Sequence, residues 1–344
     1  MGSVLPGGME SGCHLVPQRG GGSPALDMIQ VIETPILFQM HRLAFVVPTK
    51  DRPDDLRKML ESLARQTRVP DQIIVVDGSE PDIRDVVSGF PALPIDYVRV
   101  FPPSLARQRN AGMAELRPEI TLAGYLDDDI VLEPGAIAAM LDYWERADAS
   151  LGGTAFNITN TAPARWTRVK RLFGLDHPVP GRLMKTGCTS ILGNQELDIE
   201  TDWLCGGATV WRRDVIETYC YDEWFRGTGY LEDVDYSFNV RGKYRLALVA
   251  KARLAHYSPP VRRDRHYLLG KWQIINRMYL VRKYRKRGLS PAAAWLANLG
   301  LISLHLAAAI IKADGTQWDQ FRGNVAGILS ELAGRNEQIE GHLK

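Results

Sequence analysis

Leu122-Ala-Gly-Tyr-Leu-Asp-Asp-Asp-Ile130 is the stretch on which the fold reading turns. Five residues without a charge run directly into three consecutive carboxylates. A short run that is apolar on both faces suits a strand buried in a parallel sheet, and the abrupt acids mark its carboxyl end. Three adjacent carboxylates at the end of an apolar element repel one another and resist desolvation. That cost is offset where a divalent cation sits among them, and oxygen ligands suit Mg²⁺ or Mn²⁺. The other reading is a solvated turn whose acids cap the helix that follows Pro134.

The same pattern extends upstream. Leu43-Ala-Phe-Val-Val-Pro48, Gln72-Ile-Ile-Val-Val-Asp77 and Ile95-Asp-Tyr-Val-Arg-Val100 read as further buried strands. Pro53 with Asp54 and Asp55 suits a first helical turn, and Leu56, Met59, Leu60 and Leu63 then line one face. Ser104 to Ala114 and Pro134 to Arg146 read as further helices. Strands alternating with helices predict an α/β, doubly wound, mostly parallel sheet covered on both faces. Ligands of such sheets bind beyond the carboxyl ends of the strands, where Asp77 and Asp127 fall.

Beyond about Gly152 the pattern changes. Residues 158–202 read as irregular and include the basic stretch Arg165-Trp-Thr-Arg-Val-Lys-Arg171. Trp203 to Arg212 reads as a glycine-containing strand, Glu232 to Arg241 as a helix, and Arg245 to Val249 as a strand. Glu232, Asp233 and Asp235 open their helix either as caps or as site acids. Gly206 and Gly207 either admit a sugar close to the backbone or form a bulge. Trp203 and Trp224 either stack on sugars or belong to the core. His256 is either a packed surface residue or a ligand.

The whole chain has 344 residues, 45% apolar and 24% charged, with a formal net charge of +2. This composition fits a soluble globular protein, and the balance of charge gives no reason to expect nucleic acid as a partner. The four cysteines include no C-x-x-C pair, which argues against a thiolate zinc site and for a reducing compartment, hence a cytoplasmic location. Residues 1–40 read as a flexible tail without a targeting segment, 41–260 as the α/β domain and 261–344 as a helical region. There, the basic run Arg282-Lys-Tyr-Arg-Lys-Arg287 precedes an almost wholly apolar stretch from Ala292 to Ile311, about 30 Å long as a helix. Asn298, His305 and Lys312 make a polar stripe along it. Packing on the protein body, lying in a membrane interface and spanning a bilayer all stay open. The basic run would favour peripheral contact with the anionic inner leaflet.

In order, these pieces resemble an inverting glycosyltransferase of family two, with the GT-A fold, over roughly Leu43 to Ser258. Val46-Val-Pro-Thr49 with Arg52-Pro53 resembles the opening strand. Gln66-Thr67 followed by Ile73-Ile-Val-Val-Asp-Gly-Ser79 resembles the second strand and its nucleotide-binding acid. Ala106-Arg-Gln-Arg-Asn-Ala-Gly112 resembles the Ala-Arg-Asn-x-Gly helix, with two extra residues before Arg109. Asp127–Asp129 matches the D-x-D motif, Leu204-Cys-Gly-Gly-Ala208 the acceptor segment, and Glu232-Asp233 the E-D motif. Leu126 to Pro134 is especially similar to the rhamnosyl- and galactofuranosyl-transferase branch.

The resemblance implies a nucleotide-sugar donor and a glycan or lipid-linked acceptor. It places Pro48, Thr49, Arg52, Asp77, Asp127 and Asp128 on the nucleotide or donor, together with Arg109 or its rival Arg107. Asp127, Asp129 and His256 would hold the divalent cation. Gly206, Gly207 and Trp203 would face the acceptor or sugar. Asp233 and Glu232 would be the catalytic acids, with Asp233 as the general base. Two other functions fit the sheet. A sugar nucleotidyltransferase would want a glycine-rich loop after the first strand, where this chain has Pro48-Thr-Lys-Asp-Arg52. A non-catalytic sugar-nucleotide-binding module would not need Asp233.

Overall fold

A computed structural model describes residues 41–161, 168–226, 229–257, 263–312 and 315–334. The expected N-terminal tail, 1–40, and residues 165–167 of the basic stretch lie outside these. In chain order the elements are β1 (Leu43–Thr49), α1 (Pro53–Ala64), β2 (Gln72–Asp77), α2 (Arg84–Ser88), β3 (Ile95–Arg99), α3 (Leu105–Ala114), β4 (Leu122–Leu126), β5 (Ile130–Leu132), α4 (Ala136–Glu145) and β6 (Leu151–Ile158). Then come α5 (Arg168–Leu172), β7 (Ile199–Thr201), β8 (Ala208–Arg212), α6 (Arg213–Thr218), α7 (Glu232–Val240), β9 (Arg245–His256), α8 (Arg263–Lys283), α9 (Pro291–Lys312) and α10 (Gly315–Leu332).

The sheet runs β3-β2-β1-β4-β8-β6-β9-β5, with β7 also paired to β9. Strands β1 to β4, β6 and β9 run one way, and β5, β7 and β8 run the other. This is the expected α/β sheet with a C-terminal helical part. Successive side chains of a strand point to opposite faces, and both faces are covered here. From β1, Phe45 and Val47 join α1 and α4 through Leu56, Met59, Leu60, Ile137 and Met140. Val46 joins the opposite layer with Ala106 of α3, Val215 of α6 and Tyr236 of α7.

The structure adds elements that the sequence pattern did not show. Strand β5 has only three residues, and β6 contains Gly152, Gly153 and Thr154, so neither presents an apolar run. The strand expected over Trp203–Arg212 begins only at Ala208, because Gly206 and Gly207 form a turn closed by Ala208 N–H on Cys205 O at 3.1 Å. Strand β9 continues past Val249 to His256. Its ladder with β6 jumps from Phe156↔Val249 to Asn157↔Arg253, so Ala250 to Ala252 bulge, and Asn157 Nδ2 donates to Ala250 O across the gap at 2.9 Å.

The C-terminal helices pack on α7. Val234 and Phe238 meet Met278, Leu280 and Val281 of α8 and Ala294 of α9. Two polar residues of α9 turn inward: Asn298 accepts from Arg277 Nη1 at 2.6 Å, and His305 bonds Asn324 of α10 at 2.6 Å. Two members of the sequence's polar stripe therefore face the protein body.

The carboxyl ends of β1 and β2 are tied from below by one side chain. Gln108 of α3 is buried, and its amide donates to Thr49 O at 2.9 Å and Val76 O at 2.8 Å. Gln108→Leu removes the side-chain bond from each of these carbonyls, while Gly78 N–H still reaches Thr49 O at 3.0 Å. A loss of about 2 kcal/mol is expected in urea denaturation.

Candidate functional site

Strand β4 ends at Leu126 and delivers the acid triplet to the carboxyl edge of the sheet. Each acid has a different environment. Asp128 is buried; it accepts from Thr49 Oγ1 at 2.7 Å and from Arg52 Nη1 at 3.1 Å. Burial nevertheless pushes its carboxyl up to about 7. Asp129 accepts from the same Arg52 Nη1 at 3.0 Å and lies 2.9 Å from His256 Nε2. Burial alone would raise Asp129, but the His256 contact and the Arg52 charge outweigh it and hold the carboxyl low. The Asp129 hydrogen bond in turn raises His256. Strand pairing sets this contact, since His256 stands opposite Ile130 and Tyr257 N–H donates to Asp129 O at 2.8 Å.

Asp127, Asp129 and His256 each offer a ligand atom, and these atoms all lie within 4.8 Å of one another. Two carboxylates and an imidazole suit a divalent cation. Arg52 already supplies positive charge to Asp128 and Asp129. The residues present therefore fit a cation.

A second acidic group closes on the first through Arg109. Its guanidinium is 1% exposed; Nη2 reaches Asp127 Oδ1 at 3.3 Å and Nη1 reaches Glu232 Oε1 at 3.1 Å. Tyr221 and Tyr125 lie 5.0 and 5.6 Å from it. Despite burial, the surrounding tyrosine and carboxylates raise Arg109, so it stays charged. Asp233 accepts from Gly206 N–H at 3.2 Å and Val234 N–H at 2.8 Å. Burial raises both Glu232 and Asp233 above the usual carboxylate range. The turn between these groups has no room for side chains: a Cβ on Gly207 would lie 1.9 Å from Asp127 Oδ2, and one on Gly206 would lie 2.7 Å from Arg109 Nη1. Leu231, just before Glu232, takes a left-handed φ of 70°. A leucine there is strained, and such strain collects where surrounding structure fixes a functional group.

Most of the residues expected at the site converge. Thr49, Arg52, Arg109, Asp127, Asp128, Asp129, Gly206, Gly207, Glu232, Asp233 and His256 form one linked cluster, with Pro48 buried beneath it in β1. Three expectations change. Arg107 turns to Glu223 at 3.4 Å, so Arg109 is the arginine of the acidic cluster. Asp77, expected on a nucleobase, is fully buried and accepts from Ser79 N–H at 2.8 Å, Ile83 N–H at 3.3 Å and the Tyr97 hydroxyl. Its oxygens are engaged in shaping the 78–83 loop. Trp203 packs beside the α7–α8 core and donates to Ser190 O at 3.1 Å, while Trp224 stacks on Tyr279 at 3.8 Å. Sequence reasoning passed over Gln108, Tyr125 and Tyr221. Tyr125 is a phenol in a strand that reads only as apolar, Gln108 sits between the two arginines of α3, and Tyr221 lies in the connection between α6 and α7.

The profile of the family described as Glycosyl transferase family 2 matches residues 44–220, just over half of the chain. The chain belongs to glycosyl transferase family 2. The glycosyltransferase YwdF of Bacillus subtilis (strain 168) is 32% identical to this family member over 108 residues, which are 31% of this chain and 40% of YwdF. The chain thus spans less than half the length of that curated relative. The mannosyltransferase PcManGT of Pyrobaculum calidifontis, solved in complex with GDP-Man and Mn²⁺, superposes with a TM-score of 0.52 at 13% identity, over 86% of this chain and 88% of its own. That likeness shows the shared GT-A fold. Family membership sets aside the nucleotidyltransferase reading.

Arg109→Met leaves Glu232 buried without its partner charge. Denaturation in urea should show a loss of about 3–5 kcal/mol. Adding Glu232→Gln to that variant should recover part of the loss, because the more deeply buried of the two orphaned carboxylates is then uncharged.

Proposed function

We propose that the transferase moves a sugar from a nucleotide diphosphate to an acceptor hydroxyl, with inversion, using Asp233 as general base. The acceptor class is a glycan or a lipid-linked glycan. A divalent cation, Mg²⁺ or Mn²⁺, is held by Asp127, Asp129 and His256. The observation that carries this reading is the convergence of two distant acidic motifs on Arg109, which touches Asp127 on one side and Glu232 on the other. A binding module would have no use for a second acid pair placed beside the first.

The roles divide by environment. Glu232 is buried and tied to Arg109, so it positions rather than transfers a proton. Asp233 is only part-buried, and two backbone N–H groups aim its carboxylate. It is the group placed to take a proton from an incoming hydroxyl. Burial pushes the neighbouring Cys205 thiol up to about 12, so no thiolate competes as nucleophile. One base and direct displacement at the anomeric carbon give inversion. When bound, the cation supplies Lewis-acid stabilisation of the departing diphosphate. Thr49 and Arg52 hold Asp128 beside that position, and the Gly206–Gly207 turn lets Asp127 and Arg109 pack directly against the backbone. The Mn²⁺ in PcManGT supports the choice of cation.

The similarity over Leu126–Pro134 supports a place beside the rhamnosyl- and galactofuranosyl-transferases. In this reading 41–260 is the transfer domain and 261–344 its helical buttress. Cys188, Cys205 and Cys220 are free thiols, which supports a reducing, cytoplasmic setting.

Asp233→Asn tests the base directly. Turnover should fall by about 10²–10⁴-fold, while thermal shift by the nucleotide sugar stays unchanged. Full turnover would remove Asp233 from this role. Only the deprotonated carboxylate works, and burial raises its pKa. The acid limb of kcat/KM should therefore lie above the ordinary carboxylate value of about 4 and vanish in Asp233→Asn. Chelation by EDTA should abolish transfer, with Mg²⁺ or Mn²⁺ restoring it. Undiminished transfer in chelator would remove the cation.

A further inference from the structure

Helix α9 is apolar on the side that faces out. Its exposed residues are Ala292, Leu296, Leu299, Ser303, Ala307 and Ile310, spaced by three or four positions and so on one face, with Ile311 at its edge. Leu299 is 56% exposed, Ile310 70% and Ile311 82%. No charge interrupts this face. Its one hydroxyl, Ser303 Oγ, donates to Leu299 O at 2.9 Å and so needs no water. A soluble helix normally has the opposite arrangement, with its polar residues outward. Here Asn298 and His305 are turned in and bonded to α8 and α10.

Positive charge flanks the face. A Cβ on Gly300 of α9 would lie 2.2 Å from the Phe173 ring, which fixes the chain just after α5 against the middle of α9. Helix α5 is Arg168-Val-Lys-Arg-Leu172; all five residues are exposed, Leu172 by 75%. At the amino end of α9, Arg285 and Lys286 are also exposed. They make no ion pair among the described residues.

We propose that the exposed face of α9, together with α5, seats the protein on an anionic bilayer, with α9 lying in the plane of the interface. An apolar face about 30 Å long with basic residues beside it matches the chemistry of acyl chains beneath anionic headgroups. The inward face of α9 is packed on α8 and α10, so the helix docks and does not span. A second copy is a poorer occupant, because its own basic flank would face this one. The inference is independent of the sugar chemistry, since docking requires neither donor nor acceptor.

The full chain is sedimented with phosphatidylcholine vesicles containing about a third phosphatidylglycerol, at low and high salt. Binding is expected at low salt and should weaken as salt rises. Leu296→Ser/Leu299→Ser should lower the partition coefficient by about tenfold or more, with an unchanged melting temperature. Arg285→Glu/Lys286→Glu, which alters no core residue, should lower it at low salt only. Absence of wild-type binding at low salt would overturn the proposal. So would binding that neither double variant weakens, or self-association that the leucine pair abolishes while no vesicle is bound.

Discussion

An enclosed guanidinium between two carboxylates is the interaction on which this site depends. A charge so fully removed from water survives only if its partners are fixed and close. Arg109 has both: one nitrogen meets Asp127, the other Glu232. The planar fork of arginine can serve two acids in different directions, which a lysine ammonium on a flexible stem could not do with equal definition. Asp127 follows β4 and Glu232 opens α7, so this one side chain locks the carboxyl edge of the sheet to the helix that carries Asp233. The tight Gly206–Gly207 turn fills what remains between them.

Helix α7 is held from its other side by the C-terminal region. Asp235, one turn beyond Leu231, pairs with Lys283 of α8 at 2.8 Å, and Lys283 also reaches Asp222 at 2.6 Å. Val234 and Phe238 sit in the apolar cluster formed with α8 and α9. The acids that open α7 therefore point to different tasks: Glu232 toward Arg109, Asp233 toward the glycine turn, Asp235 toward the helical region. This division explains why a helix can begin with three acids at a residue in a left-handed conformation. Contacts on both sides impose the geometry that local preference would refuse.

The sequence revealed strands and helices wherever burial wrote a simple pattern. Strands β1, β2 and β4 are largely apolar runs, and α1 has its leucines at helical spacing. The triplet after Leu126 was informative because three carboxylates at a strand end are costly without a function. Strands β5, β6 and β7 stayed hidden, since short or glycine-bearing strands draw their stability from neighbours that no local window contains. The choice between Arg107 and Arg109 depended on which face of α3 meets the sheet, and two candidates two residues apart point to opposite sides. Asp77 was read as a ligand-facing acid because it ends a strand; the loop whose N–H groups it accepts from comes from residues with no such signature. In α9 the polar stripe was visible, but only tertiary packing decides which way a stripe faces.

The bulge in β9 bears on where the site's imidazole can be. From Arg253 to His256 the strand is a rigid ruler, and each step along it exchanges one side of the sheet for the other. Three looped-out residues before that segment set the count. A chain with one residue fewer between Val249 and Arg253 would either shrink the bulge or slide this segment by one, and the slide would put Tyr257 where His256 now stands. Length at this point therefore decides which side chain meets the Asp129 carboxylate.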